Sequence, residues 1–293
     1  NSQDRKSAKF TYFNTCVALK NIDNAPSEIH LGCANISCVR SVFSLLLTTA
    51  FLLTGHGIHM TFLPLMASDI GLSQTTIGFS GSAYFAGFIS GAMVTPHIIA
   101  KVGHIRSFTT LMAVFLCCFQ VLPMTDNGGV WIFIRFVLGA VMCGAYTVVE
   151  SWISDQADAR SHGRVLSIYT VIVLGAMALG QGILGLTYGQ ATQVFAVISI
   201  LIGCAIIPVS LTSSLAPAPV PATRIDFSKL YRRSHTAFAG ALGSGLIIGT
   251  FWTLGAVHVV SVTGNADFAP TFVAVSILGG ALVQYPIGIA SDR

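Results

Sequence analysis

Arg135 is the residue whose chemistry first demands an explanation. It lies inside an apolar run, residues 130–153, and a guanidinium surrounded by hydrocarbon is costly unless it faces a cavity or a partner. Arg135, Gly139, Met142, Tyr146 and Glu150 recur at three- and four-residue spacing, which places them on one face of a helix. One strip thus carries a cation, a phenol and a carboxylate, and it reads as the polar lining of a path for solute or protons. The plainer alternative has Arg135 and Glu150 snorkelling to opposite membrane interfaces. A second pair, His56 and His59, sits three residues apart in the run 42–64 and shares a face there. Imidazole changes charge near neutral pH, which suits proton coupling. Two neutral, hydrogen-bonded interior histidines are the alternative. Gln181 completes the candidate pathway, and Tyr84, Ser90, Thr253, His258, Gln284 and Tyr285 are further polar groups within runs. Most groups of this kind stitch helices together.

Other chemistries are poorly supported. Gly78-Phe79-Ser80-Gly81 fits the Gly-x-Ser-Gly pattern of rhomboid-type intramembrane proteases, a four-residue match in a chain with 29 glycines. Ser80 near a helix start reads equally well as a cap, and no later run supplies an Ala-His-x-x-Gly base. An intramembrane serine protease is therefore the weakest reading, and the chain is taken as a non-enzyme. Seven cysteines are scattered without zinc spacing, and Cys33 and Cys38 read as free thiols. No metal or cofactor is expected. No basic cluster interleaved with aromatics points to nucleic acid.

The elements that must position these side chains are membrane helices. Charged residues make up 9% of the chain and apolar ones 53%, with a mean hydropathy of +0.76. Soluble domains carry about 25% charge. Eight apolar runs stand out, at 42–64, 77–100, 107–124, 130–153, 165–188, 191–211, 237–262 and 268–290, and a spanning helix needs roughly 20 apolar residues. The links between them alternate in charge. Five Lys or Arg lie before the first run, two in 101–106, two in 154–164, four in 212–235, and the last is Arg293. If every run spans once, those 14 of the 15 basic residues fall on one face, leaving only Arg135. That face is cytoplasmic by the positive-inside rule, which predicts a multi-pass protein of the cell inner membrane. Trp131 and Trp152 are 21 residues apart, about 32 Å along a helix, and read either as markers of the two interfaces or as packing aromatics. Residues 1–38 are polar and are expected to form a disordered tail. Residues 39–211 form a six-helix bundle, 212–235 a proline-rich cytoplasmic linker, and 236–293 the first two helices of a second bundle.

Two stretches resemble a known signature. Pro96 to Arg106 reads Pro-His-Ile-Ile-Ala-Lys-Val-Gly-His-Ile-Arg, and Pro286 to Arg293 reads Pro-Ile-Gly-Ile-Ala-Ser-Asp-Arg. Both look like Gly-x-x-x-Asp-Arg-x-Gly-x-[Arg/Lys] of the major facilitator superfamily, found there after helices two and eight. Lys101, Gly103 and Arg106 keep the first copy, although Pro96 and Ala100 replace its Gly and Asp. Gly288, Asp292 and Arg293 keep the second, 192 residues later by the Pro96–Gly288 offset. These residues are, by the resemblance, conformational latches, and the missing Asp weakens the first. Arg135 with Gly139 and Gly144 resembles the family's helix-four arginine motif, associated with proton coupling. Gly180-Gln181-Gly182 lacks the Gly-Pro signature of drug–proton antiporters. Val149-Glu150-Ser151-Trp152 with Gly163-Arg164 and Tyr169 is similar to the YcaD-like bacterial branch.

The resemblance implies a secondary active or facilitative transporter of a small solute, working by alternating access, with protons as an optional partner. A transporter-like sensor that moves nothing is the binding-protein alternative. The family has two six-helix bundles, so the sequence is expected to be C-terminally truncated. The natural protein should continue with about four more spans, and these 293 residues alone should not transport.

Overall fold

A computed structural model of the chain describes residues 27–156, 162–212, 231–232 and 234–291, with side chains for 42–155, 165–212, 231–232 and 234–283. Regular structure among the described residues is entirely helical, as hydrocarbon requires, because a helix satisfies its own backbone polar groups. The elements are α1 (Ser27–Asp69), α2 (Gln74–Val102), α3 (His104–Phe119), α4 (Gly128–Gln156), α5 (His162–Thr187) and α6 (Ala191–Ser210). They continue with α7 (His235–Thr263) and α8 (Phe268–Ser291). Seven of these, α1 to α7 with the short 3-10 turn Leu122–Met124 added to α3, are long and apolar enough to cross a membrane. The eighth, α8, has 24 residues, about 36 Å of helix. The expected all-α, multi-span fold is thus present, with large apolar side chains such as Phe133, Leu186 and Ile200 exposed to the surroundings. Helix α1 begins at Ser27, inside the stretch expected to be a disordered tail. The linker at 212–235 lies largely outside the described residues.

Local chemistry sets the ends of α2. The Ser73 hydroxyl accepts from the Thr76 N–H at 3.1 Å, a normal N-cap. Gly103 stops the helix at φ 83° while its N–H donates to the Ile99 carbonyl at 2.8 Å. That positive φ is why glycine stands at the turn into α3.

Packing is dominated by two arrangements. Helix α2 runs against α4, and α1 lies against α5 and α6 while touching α4. The α2–α4 contact depends on absent side chains. A methyl group on Gly87 would meet the Phe136 carbonyl oxygen, and one on Gly139 would meet the Tyr84 carbonyl oxygen. Small residues let membrane helices approach closely and replace the hydrophobic drive that lipid removes. Gly139→Ala is therefore expected to destabilise the full-length protein by roughly 1–3 kcal/mol through overpacking. Thermal unfolding in detergent checks this; an unshifted transition would mean that α4 has room at Gly139.

Helices α7 and α8 lie against the α1, α2 and α5 side of the first six. Helix α7 is interrupted by a π segment, Phe251–Gly255. From there to its C-terminus it touches α1, α2 and α8. Its first part, His235–Thr250, has no buried residue.

Candidate functional site

Arg135 is 1% exposed, buried inside the protein and not reaching to an interface. Its Nη1 lies 3.3 Å from Nε2 of His59 on α1. Its Cζ sits 4.6 Å from the centre of the Tyr84 ring on α2, within range of a cation–π contact. His59 and His56 have ring centres 5.6 Å apart, as their shared helical face predicts. Tyr146, about three turns along α4 from Arg135, meets His56 edge-on at 5.9 Å. Phe115 and Phe119 of α3 close the far side of His59 at 5.5 and 6.0 Å. Four helices thus converge on one guanidinium and two imidazoles in an aromatic surround.

The cluster is incompletely satisfied. Among the described residues, Nε and Nη2 of Arg135, Nδ1 of His56 and of His59, and the Tyr84 hydroxyl are buried without a hydrogen-bond partner. No described carboxylate lies within ion-pair distance of Arg135. Buried polar groups without partners are rare and costly, and here five such atoms gather at one point within a span. Among the described residues no group of three or more His, Cys, Asp or Glu is placed to hold a metal.

The other candidates fall at different places. Gln181 of α5 donates to the Gly57 carbonyl at 2.7 Å, fastening α5 to α1 beside His56 and leaving its own Oε1 unpaired. Glu150 is exposed, about 22 Å along α4 from Arg135, and its Oε1 accepts from the Tyr169 hydroxyl at 3.0 Å. The strip read from the sequence therefore has Arg135 and Tyr146 in the cluster and Glu150 well outside it. Lys101 and Arg106 flank Gly103 on an exposed corner. Next to them His104 lies 5.9 Å from the Trp152 ring, a contact that ties this link to the end of α4. Gly288 lies within α8; Asp292 and Arg293 lie outside the described residues.

Three readings change. Trp131 and Trp152 are both fully buried, and Trp131 Nε1 donates to the Thr125 carbonyl at 2.8 Å, so the pair packs within the protein. Ser80 is not a cap: α2 starts at Gln74 with Ser73 as its N-cap, and Ser80 is buried in the second turn. Tyr84, one polar residue among several by sequence, belongs at the centre. The signal for it is Gly139, the glycine that brings α4 against the Tyr84 backbone.

One end of the bundle is covered by α7 and α8. Thr253 of the π segment fills the space over Gly81, one turn before Tyr84, and Phe85 lies 3.6 Å from where a Gly249 side chain would begin. Beyond this, Leu65 packs with Ala256, Val257 and Ala269, joined by Tyr188 and Val260. The Tyr188 hydroxyl reaches Oδ2 of Asp69 at 3.5 Å. Short π segments inside helices recur at functional sites.

The profile of the family described as Major Facilitator Superfamily matches residues 45–293. An "Uncharacterized MFS-type transporter YcaD" of Escherichia coli O7:K1 is 25% identical over 252 residues, 85% of this chain and 66% of that protein. The protein of the same name in Escherichia fergusonii is 26% identical over the same shares. The chain therefore spans slightly less than two thirds of the length of these relatives. A solved structure described as "auto inhibited POT family peptide transporter" is 15% identical, with a TM-score of 0.49 over 82% of this chain and 50% of that one.

Proposed function

Because this chain belongs to the major facilitator superfamily, we propose that it carries a small solute across the cytoplasmic membrane by alternating access, around the cluster centred on Arg135. The observation that carries this reading is a buried guanidinium inside a span with two free nitrogens and no carboxylate among the described residues. A purely structural arginine would have its donors filled, since each one left unpaired is costly in low dielectric. Support for alternating access comes from the position of α7, whose π segment lies over α2 one turn from Tyr84. Toward the Asp69 end the site is covered by α7, which packs there against α1 and α8.

Protons are the coupling partner that the site favours. His59 contacts Arg135 and has His56 beside it, so a proton gained by either would be felt at the guanidinium. Uptake by the full-length protein in sealed vesicles, over a metabolite panel with and without an imposed pH gradient, tests both parts. Saturable uptake is expected, faster with the gradient. Uptake indifferent to the gradient would leave a facilitator, and no saturable uptake of any solute would remove the transport reading.

The same reading fixes orientation. Links 125–129 and 189–190 face outside, and the basic links 154–164 and 212–235 face the cytoplasm. In a cysteine-free background, single cysteines at Asn127 and Gln190 should react with an impermeant thiol reagent from outside. One at Ala222 should react only after the membrane is opened. Outside labelling at Ala222 would overturn the arrangement.

A further inference from the structure

On the reading that the Arg135 cluster is the transport site, the pattern of filled and free donors names a class of solute. In arginine, Nη2 lies on the same edge as Nε, and Nη1 lies on the other side, next to Cδ. His59 occupies Nη1 at 3.3 Å. Nε and Nη2 are both buried and without a partner among the described residues. The vacant donors are thus the two parallel N–H groups of one edge, the pair that matches the two oxygens of a carboxylate. A third buried donor, the Tyr84 hydroxyl, is also unpaired, and its ring lies 4.6 Å from the guanidinium carbon.

Charge and surroundings narrow the class. Among the described residues the cluster contains one guanidinium and no carboxylate, so a single negative charge neutralises it. A second would be left buried without a partner. The neighbours are rings: Phe115 and Phe119 beside His59, Tyr146 beside His56, and Phe88 6.1 Å from Tyr146. We propose that the Nε–Nη2 edge of Arg135 receives the carboxylate of a small organic monoacid with an apolar body, and that the Tyr84 hydroxyl donates to the same group.

Unfolding temperatures of the full-length protein in detergent test this without transport. Sodium benzoate, acetate and lactate are compared with sodium chloride and phosphate at equal ionic strength, and with benzamide as the uncharged isostere of benzoate. Benzoate should raise the unfolding temperature by several degrees, acetate and lactate by less, and chloride, phosphate and benzamide by nothing measurable. Arg135→Lys keeps the charge but not the two-toothed edge and should weaken benzoate at least about tenfold. Tyr84→Phe, which leaves the ring packing in place, should weaken it a few-fold. A shift from benzamide or phosphate as large as that from benzoate would overturn the proposal. So would an undiminished shift in Arg135→Lys, or no shift from any monocarboxylate. If another solute is taken up saturably while monocarboxylates neither shift nor compete, only the substrate class falls. If nothing is taken up at all, the transport reading falls instead.

Discussion

Arg135→Met should cut transport roughly ten- to hundredfold and raise the unfolding temperature. The two effects come from the same atoms. Arg135 is 1% exposed with two free nitrogens, so the folded protein bears a charge that its described neighbours leave uncompensated. Replacing a buried ion pair with apolar side chains of similar volume is often neutral or stabilising by about 1–4 kcal/mol, and a lone buried charge has less Coulomb energy to lose on replacement. Methionine is flexible enough to fill the space beside Tyr84 and His59. The solute loses its charged contact, worth about 1.5–3 kcal/mol, or roughly a ten- to hundredfold loss of uptake. Uptake in vesicles and thermal unfolding in detergent are measured on the same preparation. A variant that unfolds earlier and transports normally would make Arg135 a structural element and end its assignment as the site. Arg135→Ala should lose transport as well while inserting into the membrane, although its cavity makes its stability a poorer guide.

The second large effect is expected at Gly81. A side chain there meets Thr253 of the α7 π segment, so Gly81→Leu should hold α7 away from α2 without touching the Arg135 cluster. Alternating access needs the Asp69 end to close in each cycle. A closed state raised by about 1–3 kcal/mol lowers its population some 5- to 150-fold, and uptake should fall with it. The protein should still insert and unfold cooperatively. A cysteine at Phe85, next to Gly249 in the closed arrangement, should become reactive to an impermeant reagent from outside in the Gly81→Leu background. Pairing Gly81→Ala with Thr253→Gly exchanges the two surfaces and should restore uptake. Normal uptake by Gly81→Leu would show that α7 does not have to close against α2 at this level.

Much of this protein is local in origin and was therefore readable along the chain. Hydrophobic runs of spanning length follow from bilayer thickness alone, and they gave the eight helices. The shared face of His56 and His59 follows from the helical period, and their rings do lie 5.6 Å apart. Arg135 announced itself because a guanidinium among apolar residues is expensive anywhere in a span. The strip containing Tyr146 and Glu150 was legible for the same reason as the histidine pair. Its use was not, because sequence spacing reports a face and not what stands opposite each point on it.

What only the tertiary structure decided is which groups meet across helices. Arg135 and His59 are 76 residues apart, and the contact between them is set by how close α1, α2 and α4 approach. That approach depends on side chains that are missing, such as those of Gly87 and Gly139, and a missing side chain carries no chemical label of its own. Tyr84 is central because the backbone of α4 at Gly139 presses against it. Glu150 is peripheral because about 22 Å of helix separates it from Arg135 and Tyr169 from α5 reaches its carboxylate. Ser80 and the two buried tryptophans follow the same rule. Composition and period assigned them to their helices, but the helix ends and burial against neighbours distant in sequence determined what they do there.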